Sequence, residues 1–504
     1  MIPIEIYSLI FTYFDSPEEL ELSRDESSLI LSNLSRVCRV FASICLPQIY
    51  RSLVFTGGSQ LKRKTPLHML HTTLCTQLHI QNHPTVSAAI EAANSQLLRK
   101  LVVTKAEKQT YKELASAVEE CVIEGYTNGH HGTETLPDDH ELHWHAAFVD
   151  KYLDAMMLMP KLRSLTLRNM WVTKIVLEKL SRLAASNSIL GIILDRCHYP
   201  SEVFDGGAFR SLPIRGYIGQ YEIARRILQE GQASISATLH YVHLQFDCND
   251  SLTLDTFLAS FEPFSFITSL SLSGRPRIDC AAGKLPKTIL PSLRKLECDP
   301  PALQWFTHQL PYITTLNIDE GPISETPFLP FDLSKLLVLA TRVVDFTFNP
   351  SQRTLKTSAL FPNLGIVTIR QYAWPETSNL LSLLSELDCV SSPRLKQVDI
   401  QVVDLMQNEV HPLNLDNEYT ILNSNIKERF PSLERATFNP FVKWIRFPGE
   451  GWKPKFPQNK MGKDALLKRL TNDENGSEVW VDWDGYLERF IKECRKTDNK
   501  VGAL

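Results

Sequence analysis

The residues with the most obvious chemical potential crowd into one short stretch. His130, His131, His140, His143 and His145 lie beside Asp138, Asp139 and Glu141. Imidazole and carboxylate together can hold zinc or nickel. However, His140-Glu141-Leu142-His143 lacks the i, i+4 histidine spacing that puts two ligands on one helix face, so a helical metalloprotease site is not expected. A solvated polar loop is the reading preferred, with no metal and no cofactor; a metal-dependent enzyme is the remote alternative. No G-x-S-x-G, no P-loop and no G-x-G-x-x-G ahead of a helix occurs, so nucleophilic, nucleotide and dinucleotide chemistry lack a starting point. The chain is therefore expected not to be an enzyme.

A second concentration lies near the C-terminus. Trp444, Phe447, Trp452, Phe456, Trp480, Trp483, Tyr486 and Phe490 interleave with Lys443, Arg446, Lys453 and Lys455. Basic and aromatic side chains in alternation can bind nucleic acid or a peptide. The preferred expectation is that these rings seal the end of a larger fold, with Gly449-Glu450-Gly451 as a turn within that cap.

Composition narrows the partners. The 504 residues carry 53 Lys plus Arg against 57 Asp plus Glu, a net charge of −4. Nucleic acid is not expected as the main partner, because phosphate binding needs a concentrated positive field. Hydrophobic residues at 43% supply a core, and no apolar run approaches the roughly 18–20 residues that span a bilayer. The opening Met1-Ile2-Pro3-Ile4-Glu5 has no basic region ahead of an apolar one, so an intracellular protein, cytoplasmic or nuclear, without a secretory signal is expected. The ten cysteines are scattered without a C-x-x-C pair and are expected to be reduced, mostly buried thiols.

A period organises the body of the chain. The pattern apolar-x-x-apolar-x-apolar begins at Leu162, Ile189, Phe209, Leu239, Ile267, Leu293, Ile313, Val343, Leu364, Leu395 and Leu433. Alone it is weak, since about fifteen chance matches are expected. Six of the eleven, however, carry proline two residues earlier: Pro160, Pro291, Pro311, Pro362, Pro393 and Pro431. Fewer than about one such coincidence is expected at random. Proline ends a preceding helix and favours an extended backbone, which predicts a strand at each site and helices over 175–183, 254–261, 302–310 and 380–387. Weaker matches at Cys75 and Leu98 place the start of the array soon after residue 56, and the stretch from Glu107 to Asp150 is expected to break it with a helix and then an irregular loop at about 125–145.

Ahead of this array, Ile6, Leu9, Ile10 and Tyr13 mark one amphipathic helix, and Leu31, Leu34, Val37, Cys38 and Phe41 a second apolar stripe. After Pro47, the run Tyr50 to Phe55 predicts a short strand. By spacing alone this is a small helical cap, which repeat arrays need.

The order of these residues carries a resemblance. Ile2-Pro3-Ile4-Glu5-Ile6-x-x-x-Ile10, then Leu31 to Phe41 and Pro47 to Leu53, resemble the F-box motif over residues 1–55. With the strand-helix period that follows, the whole resembles fungal-type F-box proteins with degenerate leucine-rich repeats. The resemblance implies an α/β chain: a three-helix F-box at 1–55, an irregular leucine-rich-repeat solenoid at 56–440 with parallel strands on a concave face and helices on the convex one, and an aromatic-rich cap at 441–504. It implies that Ile2, Pro3, Ile4, Ile6, Ile10, Val37, Cys38 and Phe41 contact a Skp-family adaptor, which holds a cullin scaffold. The chain would then be the substrate-recognition subunit of an SCF-type ubiquitin ligase, with an unknown protein target on the solenoid. The alternative is a free-standing repeat scaffold without a ubiquitin link.

Overall fold

The computed structural model describes residues 31–37, 51–56, 115–124, 156–246, 251–318, 336–348, 361–371, 394–402, 415–449 and 451–457, with short gaps inside some stretches and a few isolated positions besides. The histidine-rich segment, the triads at Cys75 and Leu98, the helix expected over 380–387 and Trp480 to Phe490 lie outside the described residues. The chain forms two compact units, Met1–Gln245 and Phe246–Leu504.

Each unit is built on a mostly parallel sheet, and the repeated triad explains why. In the first unit β1 (Ser52–Thr56), β2 (Glu120–Glu124), β3 (Ser164–Arg168), β4 (Gly191–Asp195), β5 (Ile214–Gln220) and β6 (Tyr241–Gln245) pair in sequence order, all parallel. In the second, β7 (Ser251–Leu252) and β9 (Arg277–Ile278) form a separate parallel pair. The main ladder there runs through β8 (Ser269–Ser273), β10 (Lys295–Cys298), β11 (Thr315–Ile318), β12 (Asp345–Phe348), β13 (Ile366–Gln371), β14 (Gln397–Val402) and β15 (Arg435–Thr437). The antiparallel strands β16 (Lys443–Phe447) and β17 (Gly451–Lys455) close it.

Ten of the eleven triads begin two residues before a strand, from Leu162 ahead of β3 to Leu433 ahead of β15. Leu162, Leu165 and Leu167 are buried, and so are Leu293, Leu296 and Cys298, or Leu364, Val367 and Ile369. Alternate strand residues thus face one apolar layer. Leu296, Leu316, Phe346, Val367, Val398 and Ala436 stack in register across six strands. Phe209 is the exception. It sits in a 3-10 turn (Ala208–Ser211), and the strand starts only at Ile214, with a register irregularity between Ile192 and Ile193 where β4 meets β5. Gly219 occupies the third apolar place of the true repeat, Ile214-x-x-Tyr217-x-Gly219, and the Tyr217 hydroxyl lies where its side chain would be.

The proline acts differently from the helix terminator expected. The N–H of Leu162 donates to the carbonyl of Met159, that of Leu293 to Leu290, Ile313 to Leu310, Leu364 to Phe361 and Leu433 to Phe430, at 3.1–3.3 Å. Proline therefore occupies the second position of a hydrogen-bonded β-turn, where its fixed φ is already the one required. The residue before each of these five prolines is itself buried. Two further repeats follow the same plan without proline. Val118, Cys121 and Ile123 are buried around β2, with the N–H of Val118 bonded to Ala115, and Tyr50, Leu53 and Phe55 bracket β1. Residues 120–124 are thus strand where a helix and loop were expected, and the strand at 52–56 belongs to the sheet of the first unit.

Helices fill the returns. α1 (Lys174–Ser186) is capped by Thr173, whose hydroxyl accepts from Val176, and buries Val176, Leu177, Leu180 and Leu183 on one side. α2 (Tyr221–Ile235) packs against β5 and β6. α3 (Leu254–Phe261) matches its expected span and stacks Phe257 on Phe261 at 4.6 Å. The segment expected as one helix over 302–310 instead breaks into α4 (Pro300–Leu303) and short 3-10 turns. α5 (Leu415–Ile421) runs into a π-helical turn (Leu422–Ile426).

Truncating Leu316 to Ala at the centre of this layer is expected to cost about 2–5 kcal/mol in denaturant unfolding. Thr315→Ala, on the opposite face of β11, is expected to stay within about 0.5 kcal/mol.

Candidate functional site

Of the residues that the resemblance assigns to adaptor contact, Ile2, Pro3, Ile4, Ile6, Ile10 and Cys38 lie outside the described residues. Val37 is 66% exposed, whereas Phe41 packs partly buried with Leu34 and Ile44 against Leu31 and Cys45. Cys45, Cys121, Cys197 and Cys298 are buried free thiols, and burial raises the pKa of each. They stay protonated and unreactive at neutral pH.

The strand faces opposite the apolar layer carry the polar chemistry. In the second unit, Ser271, Glu297, Asn317, Thr347, Thr368, Asp399 and Thr437 lie side by side in register. This row is partly self-satisfied: Asn317 Nδ2 donates to Glu297 Oε1 at 2.6 Å, and Arg370 reaches the same oxygen at 3.4 Å. Gln397 Nε2 donates to Asp399 at 2.6 Å. Burial pushes the Asp345 carboxyl above its ordinary range, with Lys295 opposing and Asp399 adding to the rise.

The equivalent face of the first unit is organised around one buried carboxylate. Asp195, at the end of β4, is only 2% exposed. Arg168 Nε, its register neighbour on β3, donates to Oδ2 at 2.6 Å, and Arg196 Nε donates to Oδ1 at 3.2 Å. Arg196 reaches back because its backbone adopts φ 51, in the left-handed region. Two glycines shape the neighbouring surface. A Cβ on Gly191 would stand 3.0 Å from the Arg215 side chain, and one on Gly216 would stand 2.0 Å from the Tyr241 ring. Arg215 and Tyr241 can therefore lie across the sheet. Burial, with Asp195 nearby, raises the Tyr241 phenol to about 12, while Arg215 and Arg168 oppose that rise. The residue pattern could not reveal this cluster, because its members are spread over four successive strands, from Arg168 on β3 to Tyr241 on β6, and meet only through strand register.

Three of the C-terminal aromatics are packed into the end of the ladder, while Phe447 is 43% exposed beneath Lys453. Trp444 is fully buried, and Trp452 and Phe456 nearly so. Gly449 and Gly451 take φ values of 81 and 83, which the tight turn between β16 and β17 requires. Trp444 Nε1 donates to Glu418 Oε2 at 2.8 Å, and Asn439 Nδ2 bonds both Glu418 oxygens at 2.9 and 3.2 Å. Asn439 Oδ1 accepts the N–H groups of Phe441 and Val442 at 2.8 Å each. Burial pushes the Glu418 carboxyl up from 4.5 to about 7, against the lowering effect of its two donors. Among the described residues no group of three or more histidine, cysteine or carboxylate side chains is placed to hold a metal, and no helix is long and apolar enough to cross a membrane.

Glu418 carries a definite sign. Between pH 4.5 and about 7 the unfolded chain loses this proton before the folded one does, so stability from this group is greatest below pH 4.5 and falls as pH rises to about 7. Glu418→Gln keeps a carbonyl acceptor for Trp444 and is expected to flatten that fall, raising the Tm at pH 7.5 by a few degrees relative to pH 5 in parallel melts of both proteins.

No protein-family model matches the chain, and no curated protein matches it significantly.

Proposed function

We propose that the chain is the substrate-recognition subunit of an SCF-type ubiquitin ligase, the segment before β1 docking a Skp-family adaptor and the strand faces holding a target protein. The observation that carries the capture half is a run of parallel strands whose outward side chains are polar and whose inward ones are buried, which leaves a broad backbone-rigid face. Sites built on strands hold side chains more precisely than loops do. The docking half rests on the order of residues in 1–55 and on the exposure of Val37. Ubiquitin transfer would then be promoted by proximity, with the bond-making groups on other subunits.

One observation favours the free-standing scaffold: β1 is the first strand of the sheet in the first unit, and a repeat array needs a cap before its first strand. Co-expression with a Skp-family adaptor separates the two. A stable complex is expected with the wild type and is expected to be lost in a still-folded Pro3→Ala, Ile6→Asp double variant. Failure of the wild type to co-purify would leave the scaffold reading in place.

A further inference from the structure

The β16–β17 hairpin buries its tryptophans on one face and gathers cations on the other. Trp444, Trp452 and Pro454 are buried, so the alternate residues Lys443, Ile445 and Phe447 of β16 and Lys453 and Lys455 of β17 face the opposite way. Register sets them in rows. Arg435, Ile445 and Lys453 lie side by side across β15, β16 and β17, and Thr437, Lys443 and Lys455 make the next row. Four cations thus share a sheet face two strand spacings wide and two residues long, about 10 Å by about 7 Å. Phe447 borders this group, 43% exposed, with Lys453 Nζ 5.6 Å from its ring centroid.

Few carboxylates oppose these cations among the described residues. Asp399, beside Thr437 in register, takes a donor from Gln397, and Glu434 pairs with Lys396 at 3.1 Å. Glu418 lies on the tryptophan side of the sheet, bonded to Trp444. The field above the hairpin is therefore locally positive, although the chain as a whole carries −4. The ring is the second element. An aromatic face gives a base a stacking platform that an aliphatic side chain does not. Its place beside Lys453 puts a stack and a phosphate contact within the reach of one nucleotide.

We propose that Arg435, Lys443, Lys453, Lys455 and Phe447 form a site for a short single-stranded nucleic acid, the cations taking consecutive phosphates and the ring stacking on one base. A duplex keeps its base faces inside the stack, and one turn of about 34 Å exceeds the patch about threefold. A bilayer surface needs apolar groups that sink below the headgroups, whereas Ile445 is half-buried in the sheet face and the Phe447 ring lies under Lys453. An acidic peptide matches the charge but leaves the ring without a role. This surface lies beyond the ubiquitin-ligase reading and does not depend on it, and it is tested on the full chain without adaptor.

The test is fluorescence polarisation with labelled oligouridine and oligodeoxythymidine of equal length, an abasic strand with the same number of phosphates, and an oligoglutamate peptide. Sedimentation with phosphatidylserine vesicles runs beside it. Both base-bearing strands are expected to bind about fivefold or more tighter than the abasic one. The logarithm of their association constant is expected to fall with log salt at a slope of about −2 to −3, as about four single-strand phosphate contacts require. Lys443→Gln is expected to weaken every strand severalfold and to reduce that slope by about 0.7. Phe447→Leu keeps an apolar side chain and is expected to erase the preference for base-bearing strands, with Tm unchanged in both variants. Arg225→Gln, on α2 and paired with Glu222, is expected to change nothing. No binding of the base-bearing strands, abasic strand or oligoglutamate bound as tightly, a preference that survives Phe447→Leu, or sedimentation with vesicles in place of oligonucleotide binding would overturn the proposal.

Discussion

The architecture depends on a tight turn ahead of β3, β10, β11, β12, β13 and β15: a buried residue, a proline or a substitute, and a hydrogen bond that closes the turn at the first apolar position. The turn delivers each strand at the same height relative to the one before it. A backbone carbonyl then receives two donors from the next repeat, as Thr314 does from Val344 and Asp345, or Lys396 from Glu434 and Arg435. With the height fixed, the triads meet in register and bury one continuous layer. A one-residue slip would turn every leucine of a strand towards solvent, so burial and turn geometry enforce each other.

That same register creates the polar face. Because side chains alternate, whatever lies between the apolar positions is carried to the opposite side and set beside its counterparts from neighbouring repeats. In the second unit two of these neighbours, Glu297 and Asn317, bond each other, with Arg370 on the same carboxylate. In the first, Gly191 and Gly216 remove two side chains from the face, and Arg215 and Tyr241 extend over the space. Asp195 is buried there at a cost offset by two charge-assisted hydrogen bonds, and it orders the guanidinium groups that solvent would otherwise leave disordered.

The end of the second unit meets a different demand. A parallel ladder left open exposes a row of unpaired backbone groups and the edge of its apolar layer. Reversal into the β16–β17 hairpin pairs β15, and Trp444 covers the layer while donating its indole N–H to Glu418. A carboxyl group there can accept from an indole and an amide at once, which keeps the buried polar atoms of α5 and the hairpin joined.

The amino-acid order by itself determined the α/β class and the start of ten strands, because the triad and its proline are local features whose spacing survives substitution elsewhere. It also placed α3 and the glycine turn of the cap, where a single residue type answers a single backbone requirement. It misplaced the fifth repeat, since Gly219 stands where an apolar residue was sought and only the strand pairing shows Tyr217 filling that space. It read Tyr50 to Phe55 as a strand, which β1 bears out, but passed over the repeat at Val118, which lacks the proline and uses cysteine in place of leucine. Only the tertiary structure decided that Arg168, Asp195, Arg215 and Tyr241 share a surface. Their meeting depends on strand register and on the absence of two side chains, and neither is encoded within reach of any one of those residues.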